Sequence, residues 1–109
     1  MDKIRYLFLF NKVINYIVFE IEKQDISQNL EYDIKDESLT LEKGSSVFVI
    51  SRQTSIFELW LSSPITGPKH FKYRDDLQSF YTKDGLEFFE ILSSDLSLIF
   101  TKEKFNLYE

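Results

Sequence analysis

Between Leu30 and Tyr81 the apolar residues of this chain fall largely at every second position, whereas on either side of that stretch they recur every three or four. This change of period sets the folding problem, because an alternating segment buries one face of a strand and a helically spaced one buries a stripe. Leu30, Tyr32 and Ile34 face one way and Glu31, Asp33 and Lys35 the other; after a polar turn Leu39 and Leu41 resume the apolar side, which reads as a hairpin. Gly44 breaks the chain before a strand over Val47–Gln53. A short turn around Thr54 to Ile56 leads to a strand over Phe57–Leu61, with Phe57, Leu59 and Leu61 on one face. Pro64 and Gly67-Pro68 form a loop, and Lys69–Tyr73 and Leu77–Tyr81 complete the meander.

The flanks read as helices. Over residues 3–24, Tyr6, Phe10, Val13, Ile14, Ile17 and Ile21 gather on one side and Asn11, Lys12, Asn15, Glu22 and Lys23 on the other, with Phe8 and Phe19 misplaced among the polar positions. Asp84 followed by Glu87 predicts a capping box that opens a second helix, along which Leu86, Phe89, Leu92, Leu96 and Ile99 recur. Phe105, Leu107 and Tyr108 are expected to fold back over the core. The expected architecture is a single α+β domain over residues 1–109: a two-layer sandwich with two helices on one face of an antiparallel sheet of about six strands. The other sheet face then stays in water.

That wet face carries the only tryptophan. In Phe57-Glu58-Leu59-Trp60-Leu61, Glu58 and Trp60 take the polar side of the alternation, so Trp60 is expected to be a surface residue. A large aromatic left in water forgoes roughly 2–3 kcal/mol of burial, and Trp is enriched at the centres of binding interfaces. An antiparallel pairing of the two central strands sets Ser51 and Gln53 near Glu58 and Trp60. The segment Lys69-His70-Phe71-Lys72-Tyr73 extends the same face. A tryptophan covered by a neighbouring loop is the alternative.

Composition excludes several chemistries. With 109 residues there is room for one core, and 43% hydrophobic content requires one. Alanine is absent and phenylalanine abundant, the mark of an AT-rich genome, which devalues any single exposed Phe as a signal. Eighteen acidic against thirteen basic residues leave a net charge of −5, which repels phosphate backbones and favours cations or basic partners. Without cysteine there is no disulfide, thiolate zinc site, cysteine-held cluster or cysteine nucleophile. No Gly-x-Ser-x-Gly elbow, phosphate-cradling glycine loop or Glu-x-x-His pair occurs. The stretch Ile4–Ile21 is interrupted by Arg5, Asn11, Lys12, Asn15 and Glu20 and falls short of a membrane span. It also lacks the pattern of a cleavable leader, so a mature form or an uncleaved address is expected.

The run Val47-Phe48-Val49-Ile50-Ser51-Arg52-Gln53-Thr54, then Glu58-Leu59-Trp60-Leu61-Ser62-Ser63-Pro64, then Gly67-Pro68 and an aromatic strand, resembles the frataxin family, with a eukaryote-like Ser-Ser-Pro loop. The helix, meander, helix order is also that family's, so the resemblance covers nearly the whole chain. It implies an iron-binding regulator or iron chaperone of iron–sulfur cluster assembly, acting as a monomer on the complex of cysteine desulfurase and iron–sulfur scaffold protein. Ser51, Gln53, Glu58, Trp60, Ser62, Pro64 and His70 are the positions it assigns to partner binding. Ser51 stands where the family usually has Asn, and His70 where it often has Arg.

The resemblance also implies weak iron binding, ferrous or ferric, by surface carboxylates, here Glu22, Asp25, Glu31, Asp33, Asp36 and Glu37. Hard carboxylate oxygens suit iron, and Glu31 and Asp33 project from one strand face; the same acids also serve to solubilise an outer strand and discourage edge pairing. Asn11, Phe19 and Lys23 intrude where the family has acids. A ferroxidase acting at these carboxylates and a metal-independent interaction module remain the alternatives. The implied compartment is the mitochondrial matrix or a reduced mitochondrion-related organelle, with the bacterial cytoplasm as the alternative.

Overall fold

A computed structural model describes residues 1–24 and 30–99. Helix α1 (Lys3–Gln24) precedes β1 (Glu31–Lys35), β2 (Ser38–Lys43), β3 (Ser46–Gln53), a single 3-10 turn (Thr54–Ile56), β4 (Glu58–Ser63), β5 (Gly67–Arg74), β6 (Ser79–Tyr81) and helix α2 (Phe88–Ile99). The strands form one six-stranded sheet in chain order, every neighbouring pair antiparallel. No helix among the described residues is long and apolar enough to cross a membrane.

The core follows the two periods. All six residues expected on the apolar stripe of α1 are buried, with Tyr6 and Ile17 fully so. They meet Leu39, Leu41, Phe48, Ile50, Leu59, Leu61, Phe71 and Phe80 from the sheet, and Phe88, Leu92 and Leu96 from α2. Each fully buried Leu, Ile or Phe contributes about 1.5–3 kcal/mol of transfer free energy, so the helix-facing side of the sheet dominates stability. Phe8 and Phe19 point into water, as their positions on the wheel require.

Four expectations are corrected. Tyr32 and Ile34 share the face of their cross-strand partners Leu41 and Leu39, yet are 39% and 52% exposed, while those leucines are fully buried. Alternation fixes which face a residue takes; cover by a neighbouring element decides whether that face is dry, and β1 is an edge strand. The last strand begins at Ser79, Leu77 lying in the preceding turn and exposed. Asp84 does not cap α2. Its carboxylate accepts from the Thr82 hydroxyl, which itself accepts from the Leu86 N–H at 2.9 Å, and Glu87 Oε1 accepts from the Glu90 N–H at 2.9 Å, so Glu87 caps the helix. Leu86 consequently stays outside the helix and exposed. Finally, Phe57 is not a strand residue: it closes the 3-10 turn in the left-handed region at φ 56°, its ring still turned inward against Tyr6 at 5.5 Å. The placement expected for Phe105, Leu107 and Tyr108 lies outside the described residues.

Candidate functional site

Strand register lines the residues of the open face into rows. Lys35, Ser38, Ser51, Trp60 and His70 run across β1 to β5 in one row, and Gln53, Glu58, Lys72 and Tyr81 form the next, across β3 to β6. Ser51 and Gln53 lie beside Trp60 and Glu58 as expected from the sequence, and the register pairs Ser51 with Trp60 and Gln53 with Glu58. A third row holds Asp33, Thr40, Val49, Ser62 and Pro68.

At the centre, the indole of Trp60 lies flat on the imidazole of His70, ring centroids 4.0 Å apart and planes 3° from parallel. Trp60 Nε1 donates to Glu58 Oε1 at 2.8 Å. The same carboxylate stands 3.8 Å from His70 Nδ1 and 3.8 Å from Lys72 Nζ. Glu58 is the shielded member, its side chain 16% exposed against 53% for His70 and 69% for Lys72. Trp60 therefore lies outside the core as expected, but it is half-buried, its N–H satisfied and one ring face covered by His70. A fixed aromatic with little rotamer entropy left to lose suits a binding surface.

Two buried anchors hold this plate. Tyr6, on α1, donates its hydroxyl hydrogen to the Glu58 carbonyl and accepts from the Gln53 N–H at 3.1 Å, clamping both sides of the 3-10 turn. Burial pushes the Tyr6 phenol above its ordinary value, with the Gln53 N–H pulling the other way. At the far end of β4, Asp95 of α2 is buried at 2% exposure and its Oδ2 accepts from Ser63 Oγ at 2.7 Å and Thr66 Oγ1 at 2.6 Å. Ser63 Oγ in turn accepts from the N–H groups of Ile65 and Thr66, and Gly67 at φ 82° completes the turn. Ser62 and Pro64 are exposed and Ser63 is buried, so the Ser-Ser-Pro run presents its outer members and is tied down by its middle one.

Neither anchor is singled out by the sequence pattern. Tyr6 reads there as an ordinary stripe residue. Asp95 carries a usable signal: a carboxylate next to Leu96 and three residues after Leu92, hence on the buried side of α2, needs partners, and a Ser/Thr-rich turn supplies them.

Glu22, Glu31, Asp33, Asp36 and Glu37 are all exposed, and Asp25 lies outside the described residues. Glu31 sits opposite Glu42, and Asp33 is 3.9 Å from Lys35. Asp36 and Glu37 occupy the turn at the other end of β1, on the order of 13 Å or more from Glu31 at the rise of a strand. No three His, Cys, Asp or Glu residues among those described converge tightly enough to hold one ion. The carboxylates form a dispersed band.

The sequence profile of the frataxin-like domain matches residues 1–102. The chain is 32% identical over 95 residues to the mitochondrial frataxin of Arabidopsis thaliana, a match covering 81% of this chain and 50% of that protein. It is 34% identical over 98 residues to the mitochondrial frataxin homolog of Schizosaccharomyces pombe, covering 84% and 57% respectively. The matches thus span about half the length of these relatives. The frataxin of Psychromonas ingrahamii superimposes with a TM-score of 0.85 over the whole of both chains at 23% identity, which establishes the shared sandwich fold. On profile, relatives and fold together, the chain belongs to the frataxin family.

Proposed function

We propose that this protein binds iron weakly and regulates iron–sulfur cluster assembly by docking its open sheet face onto the complex of cysteine desulfurase and scaffold protein. The observation that carries the reading is the Trp60, His70 and Glu58 cluster, an aromatic centre fixed in place on a face that neither helix covers. Around it, Ser51, Gln53 and Ser62 supply the polar rim that surrounds a binding hot spot, with exposed Pro64 at its edge. Iron is cargo in this reading. A band of separate exposed carboxylates favours loose, exchangeable contact with a hard cation over a closed cage, and a net charge of −5 attracts it. The working compartment proposed is the mitochondrial matrix or a related organelle, following the two mitochondrial relatives, with the bacterial cytoplasm as the alternative.

Titration of the protein into the desulfurase and scaffold pair, anaerobically and with and without ferrous iron, tests the reading. Stoichiometric binding accompanied by a change in the rate of sulfide production is expected; no binding under either condition overturns it. Oxygen uptake in the same mixtures above the protein-free rate would instead select the ferroxidase.

A further inference from the structure

Among the described residues β1 has a strand on one side only, because the sheet runs in chain order and β1 pairs with β2 alone. Such an edge offers a row of backbone donors and acceptors to any extended chain whose side chains match its own. All five residues of Glu31–Lys35 are exposed. They include Tyr32 and Ile34 on the helix-facing side, beside the fully buried Leu41 and Leu39. On the open side Glu31 stands opposite Glu42 of β2, a like-charge pair, and among the described residues Glu31 has no ion pair. The one cation of the strand, Lys35, lies at its other end beside Asp33. The edge thus carries an uncovered apolar pair and an acid without a counter-charge.

The strand's own sequence supplies both. Laid antiparallel against itself about Asp33, Glu-Tyr-Asp-Ile-Lys sets Glu31 opposite Lys35 of the second copy and Tyr32 opposite Ile34 of the second copy, and symmetry repeats each pair. Asp33 faces Asp33 of the second copy on the axis. That is the one unfavourable contact, and a Lys35 Nζ 3.9 Å from each carboxylate offsets it. Shifts of two residues keep the same faces but match worse: one sets Glu31 against Asp33 twice, and the other leaves Glu31 and Tyr32 opposite the Asp36-Glu37 turn. We propose that two copies of this chain join through β1, antiparallel about Asp33, into one continuous sheet. The acids of the strand repel ill-matched edges and leave this register open. Five residues a side are far fewer than the roughly 20–30 of a stable interface, so the dimer is weak and concentration-dependent. A two-fold axis normal to the sheet keeps both open faces on the same side. Because β4 lies three strands in from β1, Trp60 of each copy stays uncovered, and the dimer offers two docking faces to one partner. Neither the dimer nor its test depends on that docking.

The chain has no cysteine, so single substitutions report the register. Under mild oxidation, with a chelator present to remove metal, Asp33→Cys should form an intermolecular disulfide at least about tenfold faster than Glu31→Cys or Lys35→Cys alone, since only residue 33 meets its own copy within the roughly 4.4–6.8 Å between Cα atoms that a disulfide needs. Glu31→Cys mixed with Lys35→Cys should cross-link as a heterodimer at a rate near that of Asp33→Cys. For the unmodified chain, sedimentation equilibrium should show dimer at about 1 mM; Lys35→Glu should weaken it roughly tenfold, and Glu31→Lys combined with Lys35→Glu should restore it. Equal cross-linking at the three positions, or a monomer at every concentration up to about 1 mM, overturns the proposal. So does slow labelling of Asp33→Cys by a soluble thiol reagent without cross-linking, which would mean that another segment of this chain covers the edge.

Discussion

The two faces of this sheet are built from the same strands, and neighbouring residues divide between them with opposite consequences. Leu59, Leu61 and Phe71 go inward and are fully buried or nearly so; Glu58, Trp60 and His70, interleaved with them, go outward and make one contact network of stacking, hydrogen bonding and charge. The inner face is held by shape and the exclusion of water, the outer by direction and charge. Substitutions inside should therefore act on folding, and substitutions outside on what the protein recognises.

Breaking the inner face should give the largest effect. Phe71 packs edge-on against Phe88 of α2, rings 5.4 Å apart, and Phe71→Ala should lower unfolding free energy by about 3–5 kcal/mol in a denaturant titration. A loss below about 1 kcal/mol would show that the core is looser than the packing indicates.

The anchors joining the faces should come next. Asp95→Ala removes the acceptor shared by Ser63 and Thr66 and should cost about 2–3 kcal/mol, with hydrogen exchange of the Ile65 and Thr66 amides accelerating more than that of β2. Uniform acceleration across the sheet would show that Asp95 acts on the whole fold rather than on the turn.

Tyr6→Phe should cost about 1 kcal/mol, since it removes the hydroxyl that bridges Gln53 and Glu58. It carries a pH signature as well. The folded phenol titrates above the ordinary tyrosine value of 10.0, so folding excludes the phenolate. The contribution of this group to stability is complete below pH 10.0 and is lost as the pH rises from there through the folded value. The unmodified protein should accordingly lose stability more steeply above pH 10 than Tyr6→Phe does. Parallel curves would contradict the assignment.

Much of this division can be read in the sequence. The stripe of α1, the parity of Trp60 and the placing of Ser51 and Gln53 on the same face near Trp60 and Glu58 follow from side-chain period, which is local. What the sequence leaves open depends on neighbours. Nothing in Tyr32 or Ile34 says that the outer strand is uncovered, and nothing in Tyr6 says that its hydroxyl crosses to a turn 47 residues away in the chain. The capping box at Asp84 is plausible locally, but Thr82 and Glu87 take up the hydrogen bonds first. The flat stack of His70 on Trp60 arises from cross-strand register, which alternation suggests but does not fix.

Trp60→Ala tests the central claim most directly, because it removes the centre of the outer face and leaves every buried residue in place. Its unfolding free energy should fall by less than about 1 kcal/mol, as for a surface substitution with partial contacts, while its affinity for the desulfurase and scaffold pair should drop by at least about 2 kcal/mol, roughly 30-fold. Unchanged affinity alongside a large loss of stability would contradict the account, since the indole would then be serving the fold rather than a partner.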